Sequence, residues 1–288
     1  MNASPKIFTS PSKKAEEIIS VLRIRAASEI EIVNIAMERG AFVRERPMEN
    51  SEARLIRKGG HGIITVNSGI PEAGRKRFAI AHELGHFELH EDSQLIHCSD
   101  RDMYFWTRNK TQEIEANEFA SNILLPKDIF KRHLKAGQPT LDIVKDLAGK
   151  FTTTLTATGM RYVELSPEPC AMVISKDGVI KWYVKSADFD FHIKVGEKLN
   201  PHTYAFDYYD GVDVPESPQK VPACAWLAGR IDEEDEIIEH SLALRSYDVV
   251  LTLLWIDREI HRNTFHEDKE TEYDLMNPFT QNGKRWKW

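Results

Sequence analysis

Apolar positions change their period several times along this chain, and the changes mark its elements. Over Lys13–Arg25, Ala15, Ile18, Ile19, Leu22 and Ile24 recur at helical spacing. Glu29–Arg39 reads as a second short helix, ended by Gly40. Ala41–Arg46, Ala53–Arg57 and Gly62–Val66 then read as short strands. The stretch Arg77–Phe87 is apolar nearly all the way round, which implies a buried helix, and Pro71 suits its start. Another helix is expected over Thr111–Leu125, stopped by Pro126. Lys127–Leu134, Leu141–Lys150 and Thr153–Val163 follow as short helices. Beyond Ser166-Pro-Glu-Pro169, a candidate linker, the pattern turns to strands. Ala171–Ile174 and Val179–Val184 flank the hairpin signal Lys176-Asp177-Gly178. Ala223–Leu227 and Val249–Ile256 are further strands, the last reading as a buried central one.

The buried helix carries the chemistry. It contains His82-Glu83-x-x-His86, and positions i and i+4 share one helix face about one turn apart. Two imidazoles can therefore aim at one point, with Glu83 beside it. A zinc ion bound by two histidines needs a third protein ligand and an open position for water, whose proton the adjacent carboxylate can take. Gly85 costs about 1 kcal/mol in a helix interior relative to Ala, which makes sense where something must approach closely. The third ligand follows from the helical wheel of Thr111–Leu125. Ala116, Phe119, Ala120, Ile123 and Leu124 form its apolar face, and Glu113 and Asn117 lie at the edge of that face. Glu115 and Glu118 point to the opposite side, towards water. Glu113 is thus the candidate metal ligand, and Asn117 is placed to orient an imidazole by accepting its N–H.

With those residues set out, the sequence resembles the ImmA/IrrE family of metallopeptidases. The resemblance rests on Arg77-Phe78 through His86, then Glu113-x-x-Ala116-Asn117-x-Phe119-Ala120 and Leu124-Leu125-Pro126, in that order and spacing. It covers residues 13–165 well and the remainder loosely. It implies a zincin-like fold, one zinc or manganese ion per chain, and an intracellular endopeptidase. Known members cleave a helix-turn-helix repressor and so derepress stress-response or mobile-element genes. Carried over by motif, His82, His86 and Glu113 are the ligands and Glu83 the base. An edge strand beside the cleft would bind substrate backbone by strand addition, with Gly62–Val66 as the candidate. Some members also carry a C-terminal sensor-like domain of the GAF type.

The expected class is therefore α+β. A zincin-like metallopeptidase domain with a short mixed sheet spans 1–125, a helix-turn-helix-like helical segment 126–166, and a β-rich, sensor-like domain 167–260. A charged, flexible tail spans 261–288. His90 repeats the i+4 spacing after His86, but the three-histidine metzincin pattern wants Gly and His where Leu89 and Asp92 stand, so His90 is read as exposed or supporting. The loop Glu91–Lys110 holds His97, Asp100, Tyr104 and Trp106; it suits a lid or substrate wall, and Tyr104 or a histidine is the candidate to stabilise an oxyanion. The run Asp232–Glu236 reads as a solvated loop.

Charge narrows the picture further. The formal net charge of −7 carries no signature of nucleic-acid binding. In the helix-turn-helix-like segment Lys145, Lys150 and Arg161 are offset by Asp142, Asp146 and Glu164, and phosphate contacts need an excess of positive charge. A structural or substrate-docking role is favoured there over DNA binding. The first residues, Met1-Asn-Ala-Ser-Pro-Lys, have no apolar signal core, and Val249–Ile256 is far too short to cross a bilayer. Cys98, Cys170 and Cys224 form no Cys-x-x-Cys pair and suit a reducing, cytoplasmic setting. Two rivals stand beside the endopeptidase. One is a non-enzymatic regulator with a structural metal site that binds DNA or a small ligand; the other is a peptidase acting on itself or on a paired toxin–antitoxin partner.

Overall fold

The computed structural model describes residues 10–90, 95–98, 110–229, 231 and 234–257 of the chain; at 95–98 and at 110 only the backbone is described. Two compact units result. One holds the described residues up to His133 together with Ala148–Thr154, and the other holds Leu134–Leu147 and the described residues from Leu155 onward. The loop carrying Asp100, Tyr104 and Trp106, the side chains of His97 and Cys98, and the tail 261–288 lie outside the described residues.

The first unit opens with helix α1 (Pro11–Val21), whose N-terminus is closed by the Ser10 hydroxyl accepting from the Lys13 N–H. Its expected extension to Arg25 fails because Arg23 turns left-handed, at φ 55°. A single 3₁₀ turn, Ala27–Glu29, precedes α2 (Ile32–Glu38). The Glu29 carboxylate accepts from the backbone N–H groups of Arg25 and Ala26, so Glu29 closes that turn rather than entering α2. Gly40, at φ 84°, ends α2 as expected.

Strands β1 (Ala41–Arg46), β2 (Ala53–Lys58), β3 (His61–Asn67) and β4 (Leu95–Cys98) form a sheet in the order β1-β3-β2-β4. β1 pairs parallel with β3, while β2 pairs antiparallel with both β3 and β4. The sheet is therefore mixed. Gly62–Val66 lies inside it with a neighbour on each side, so this stretch is not the edge strand expected for substrate addition. Its N–H and C=O groups are committed to β1 and β2. Two long helices complete the unit: α3 (Ala73–Leu89) and α4 (Lys110–Leu124). α4 packs against both α1 and α3 through Ala116, Phe119, Ala120 and Ile123, all of them buried.

Short helix α5 (Lys127–Lys131) follows Pro126, then α6 (Leu141–Phe151) and α7 (Leu155–Leu165). Ala148 and Gly149 lie within α6, and a short turn joins α6 to α7. It falls at Thr152, in the left-handed region at φ 52°. A β-branched residue in that conformation is strained.

The second unit is built on an antiparallel five-stranded sheet in the order β6-β5-β11-β10-β8. Its strands are β5 (Cys170–Lys176), β6 (Val179–Lys185), β8 (Gln219–Pro222), β10 (Glu236–Leu244) and β11 (Val249–Trp255). The β5–β6 hairpin turns on Asp177 and Gly178, both at positive φ, as the sequence expects. β11 is central and buried on both faces. A two-stranded pair, β7 (His192–Ile193) and β9 (Leu227–Ala228), and helix α8 (Tyr204–Tyr209) belong to the same unit.

Ala223–Leu227 is not the strand expected. Ala223–Ala225 form a 3₁₀ turn, and Ala223, Ala225, Trp226 and Leu227 are all buried. Burial of consecutive residues fits a turn under a core better than an alternating strand. β10 was hidden from the sequence by its polar content. Its buried Glu239 carboxylate accepts from the Trp226 indole N–H at 2.9 Å, the Ala205 N–H at 2.8 Å and the Ser241 hydroxyl at 2.7 Å. The acidic run is likewise no simple solvated loop: Asp235 is buried and Glu236 opens β10, while Asp232 and Glu233 lie outside the described residues.

His240, next along β10, accepts the Leu141 N–H at Nδ1 (3.0 Å) and donates from Nε2 to the Glu216 carbonyl (3.0 Å). It thus caps the N-terminus of α6 as a neutral ring. Burial pushes its pKa below the ordinary 6.5, against an opposing contribution from the Glu216 carbonyl. Below that ordinary value the unfolded chain binds a proton that the folded chain resists. Stability from this group is complete above 6.5 and falls as pH drops towards the lowered folded value. Urea midpoints at pH 7.5 and 5.5 check this: the parent should lose more between them than His240→Gln.

Candidate metal centre

The centre is assembled by α3 and α4. Ala79 to Phe87 is a continuous buried run in the middle of α3, so His82, Glu83 and His86 sit in the interior of the unit. The last turn of α3 is held from the sheet. Arg57, on β2, donates to the carbonyls of His86 and Phe87, and its guanidinium stacks 4.5 Å from the centre of the Phe87 ring. Arg39 grips Glu88 with two bonds, of 2.7 and 3.1 Å.

α4 brings Glu113 to the same point. Its carboxylate oxygens lie 3.2 Å from His82 Nε2 and 3.3 Å from His86 Nε2, and the two Nε2 atoms are 3.1 Å apart. His82, His86 and Glu113 make a group able to hold a metal ion. Asn117, one turn along α4, accepts from His82 Nδ1 at 2.9 Å.

These separations and this donor set fit a small divalent cation. A tetrahedral ion with ligands at about 2.0–2.1 Å places them about 3.3–3.4 Å from one another. The His82 Nδ1 proton is committed to Asn117 Oδ1, an acceptor, which leaves the Nε2 lone pair facing the cluster. Lone pairs converging in a buried place need positive charge among them. The protonation of the site has the same sense. Burial alone would lower the His82 pKa, but hydrogen bonding to Glu113 and the charges of Glu83 and Glu113 outweigh it and raise it. Glu113 is drawn down to about 2, since hydrogen bonds and charge from His82 and His86 overcome its burial. His86 falls to about 4, chiefly through burial. A bound cation competes with the proton of His82, so metal affinity weakens towards acid pH.

Glu83 is fully buried one residue beyond His82, and its charge acts on that ring. Gly85 has a structural explanation that does not involve the ion. A Cβ there would lie 3.1 Å from Cα and O of Ala116, so what approaches closely is the backbone of α4. Gly85→Ala gains about 1 kcal/mol of helix propensity but overpacks by about 1–3 kcal/mol. Backbone atoms cannot rotate away, so we expect a net loss of up to about 2 kcal/mol, measured by urea unfolding, and weakened metal binding as Glu113 is displaced.

Glu115 departs from expectation, and His90 takes the supporting one of its two expected places. His90 is buried, its Nδ1 lies 3.0 Å from His86 Nδ1, and its Nε2 lies 2.8 Å from a Glu115 oxygen. Glu115 therefore faces His90 and not open water. The helical wheel missed this because His90 is the C-cap of α3, at φ −121° and ψ 69°, where the chain has left the helix. The i+4 spacing from His86 was the available signal. Tyr104, the candidate oxyanion stabiliser, lies outside the described residues.

Comparison with known proteins adds to this geometry. Residues 36–162 match the family described as Peptidase_M78, the IrrE N-terminal-like domain. Over 121 residues the chain is 31% identical to the radiation response metalloprotease IrrE of Deinococcus radiodurans, covering 41% of this chain and 36% of that protein. Over 86 residues it is 33% identical to an uncharacterized immunity region protein of Bacillus phage phi105, covering 30% of this chain and 51% of that protein. The chain thus spans about half or less of the length of these curated relatives. A solved structure of a Mycobacterium tuberculosis transcriptional regulator shares the fold, with a TM-score of 0.52 at 16% identity over 91% of this chain and 93% of that one.

Proposed function

We propose, from the premise that its IrrE N-terminal-like domain makes this chain a member of the ImmA/IrrE family of metallopeptidases, that the protein is a metal-dependent endopeptidase. His82, His86 and Glu113 would hold one divalent ion, zinc first and manganese second. The observation that supports this reading most is the approach of two imidazole nitrogens and a carboxylate to within 3.1–3.3 Å of one another, beside a buried glutamate.

The ion, when bound, supplies Lewis acidity: it makes a water more acidic and polarises a peptide carbonyl. Everything else falls to the chain. Asn117 holds His82 with its Nδ1 proton turned away, so that Nε2 faces the cluster. Glu83 takes a proton from the attacking water and delivers it to the departing amine. Burial of the site excludes bulk water around that transfer. Tyr104 remains the candidate to steady the developing oxyanion.

The substrate class we propose is a cytoplasmic repressor carrying a helix-turn-helix, whose cleavage releases stress-response or mobile-element genes. The family resemblance supports this choice. The zincin-like description of the first unit, the helix-turn-helix-like reading of 126–166, and a GAF-type sensing role for the β-rich unit are parts of the same proposal. None of the described helices is long and apolar enough to cross a membrane. The test is incubation of the zinc- or manganese-loaded protein with the repressor encoded by a neighbouring gene. A discrete pair of fragments, lost with chelator and restored by metal, is expected. A repressor left intact under both metals overturns the choice of substrate.

A further inference from the structure

We propose that His90 and Glu115 form a positioning relay that fixes the tautomer of His86, so that its Nε2 presents a lone pair to the metal. The proposal rests on the metal-binding reading above and adds two residues to it.

The contacts run inward from Glu115 to His90 to His86. A Glu115 carboxylate can only accept, so the 2.8 Å contact requires the proton of His90 to be on Nε2. In neutral His90 that leaves a lone pair on Nδ1. The 3.0 Å contact between the Nδ1 atoms of His90 and His86 then requires His86 to be the donor there. With its proton on Nδ1, neutral His86 can carry only a lone pair on Nε2, the atom that lies 3.1 Å from His82 Nε2 and 3.3 Å from Glu113. With His90 neutral, each step excludes the alternative, because two lone pairs or two protons facing each other at 3 Å with no cation between them repel.

Burial makes the choice strict. His86 is 1% and His90 7% exposed, so neither ring can turn to water for a substitute partner. Asn117 performs the same task for His82 with one bond. The two ligand histidines are thus oriented from different directions: His82 by an amide on α4, and His86 by the histidine that caps the C-terminus of α3 and is itself held from α4.

The test measures zinc affinity of the purified full chain by chelator competition, on metal-free protein, for the parent and for His90→Phe, His90→Asn and Glu115→Ala. Loss of an outer hydrogen-bond partner of this kind weakens metal binding by roughly 10–100-fold. His90→Phe should fall in that range, Glu115→Ala should lose at least roughly threefold, and the two together should lose little more than His90→Phe alone. His90→Asn places an amide oxygen where Nδ1 stood and should recover most of the loss. Nitrogen-15 spectra of the metal-free parent should show His86 protonated at Nδ1 and His90 at Nε2, and His90→Phe should disturb the first assignment. Three results overturn the relay: His90→Phe binding zinc within threefold of the parent, His86 protonated at Nε2 in the metal-free parent, or a His90→Asn variant no better than His90→Phe. A parent that binds no zinc sinks the metal reading itself, which separates the two failures.

Discussion

Replacing Glu83 by Gln should abolish cleavage while leaving the metal in place. Glu83 is fully buried beside His82 but is not among the three groups that converge at 3.1–3.3 Å. The amide has nearly the same shape and cannot accept and return a proton. General acid–base catalysis contributes roughly 10²–10⁴-fold, so turnover of a cognate repressor should fall by at least that factor. Zinc affinity should stay within about threefold of the parent, well short of the roughly 10–100-fold that loss of even an outer partner costs. Fragment yield over time, with metal content measured on the same sample, checks both halves. Cleavage at the parental rate by the Gln variant removes Glu83 from the mechanism.

The second large effect belongs to Glu113. Its carboxylate is the group that α4 contributes to the cluster, mostly buried and pulled down to about 2 by the two histidines. Glu113→Gln removes the negative charge and offers one weak acceptor oxygen. Because it takes away a direct ligand, the loss of zinc affinity should exceed the roughly 10–100-fold expected for an outer partner. Cleavage should disappear at ordinary metal concentrations and return in part at high metal. Equilibrium dialysis with zinc over a broad concentration range would measure the loss; an unchanged affinity would mean that the third ligand lies elsewhere.

Much of this arrangement was legible in the sequence, for physical reasons that differ by element. α3 and α4 were readable because burial on several faces leaves a dense apolar signature, and because an i, i+4 pair on a helix fixes its own geometry. Glu113 and Asn117 were readable because the apolar face of α4 sets its rotation. The pairing of His90 with Glu115 was not. His90 leaves the helix at its C-cap, where the wheel no longer applies, and Glu115 follows His90. The inner position of β3 was unreadable because it depends on a parallel pairing with β1, made past the intervening strand β2. β10 escaped because its buried Glu239 and His240 are polar residues satisfied by partners distant in sequence, Trp226, Ala205 and Leu141. Such partners are visible only once the chain has folded. Conversely, Ala223–Leu227 was apolar enough to resemble a strand while serving as a buried turn.

The most direct test is zinc K-edge X-ray absorption on protein titrated with zinc to saturation. We expect one ion per chain, with scattering from two imidazoles and light oxygen or nitrogen atoms at about 2.0–2.2 Å. Saturation at another stoichiometry, the absence of imidazole scattering, or a sulfur shell near about 2.3 Å would contradict the assignment of His82, His86 and Glu113 as the metal centre.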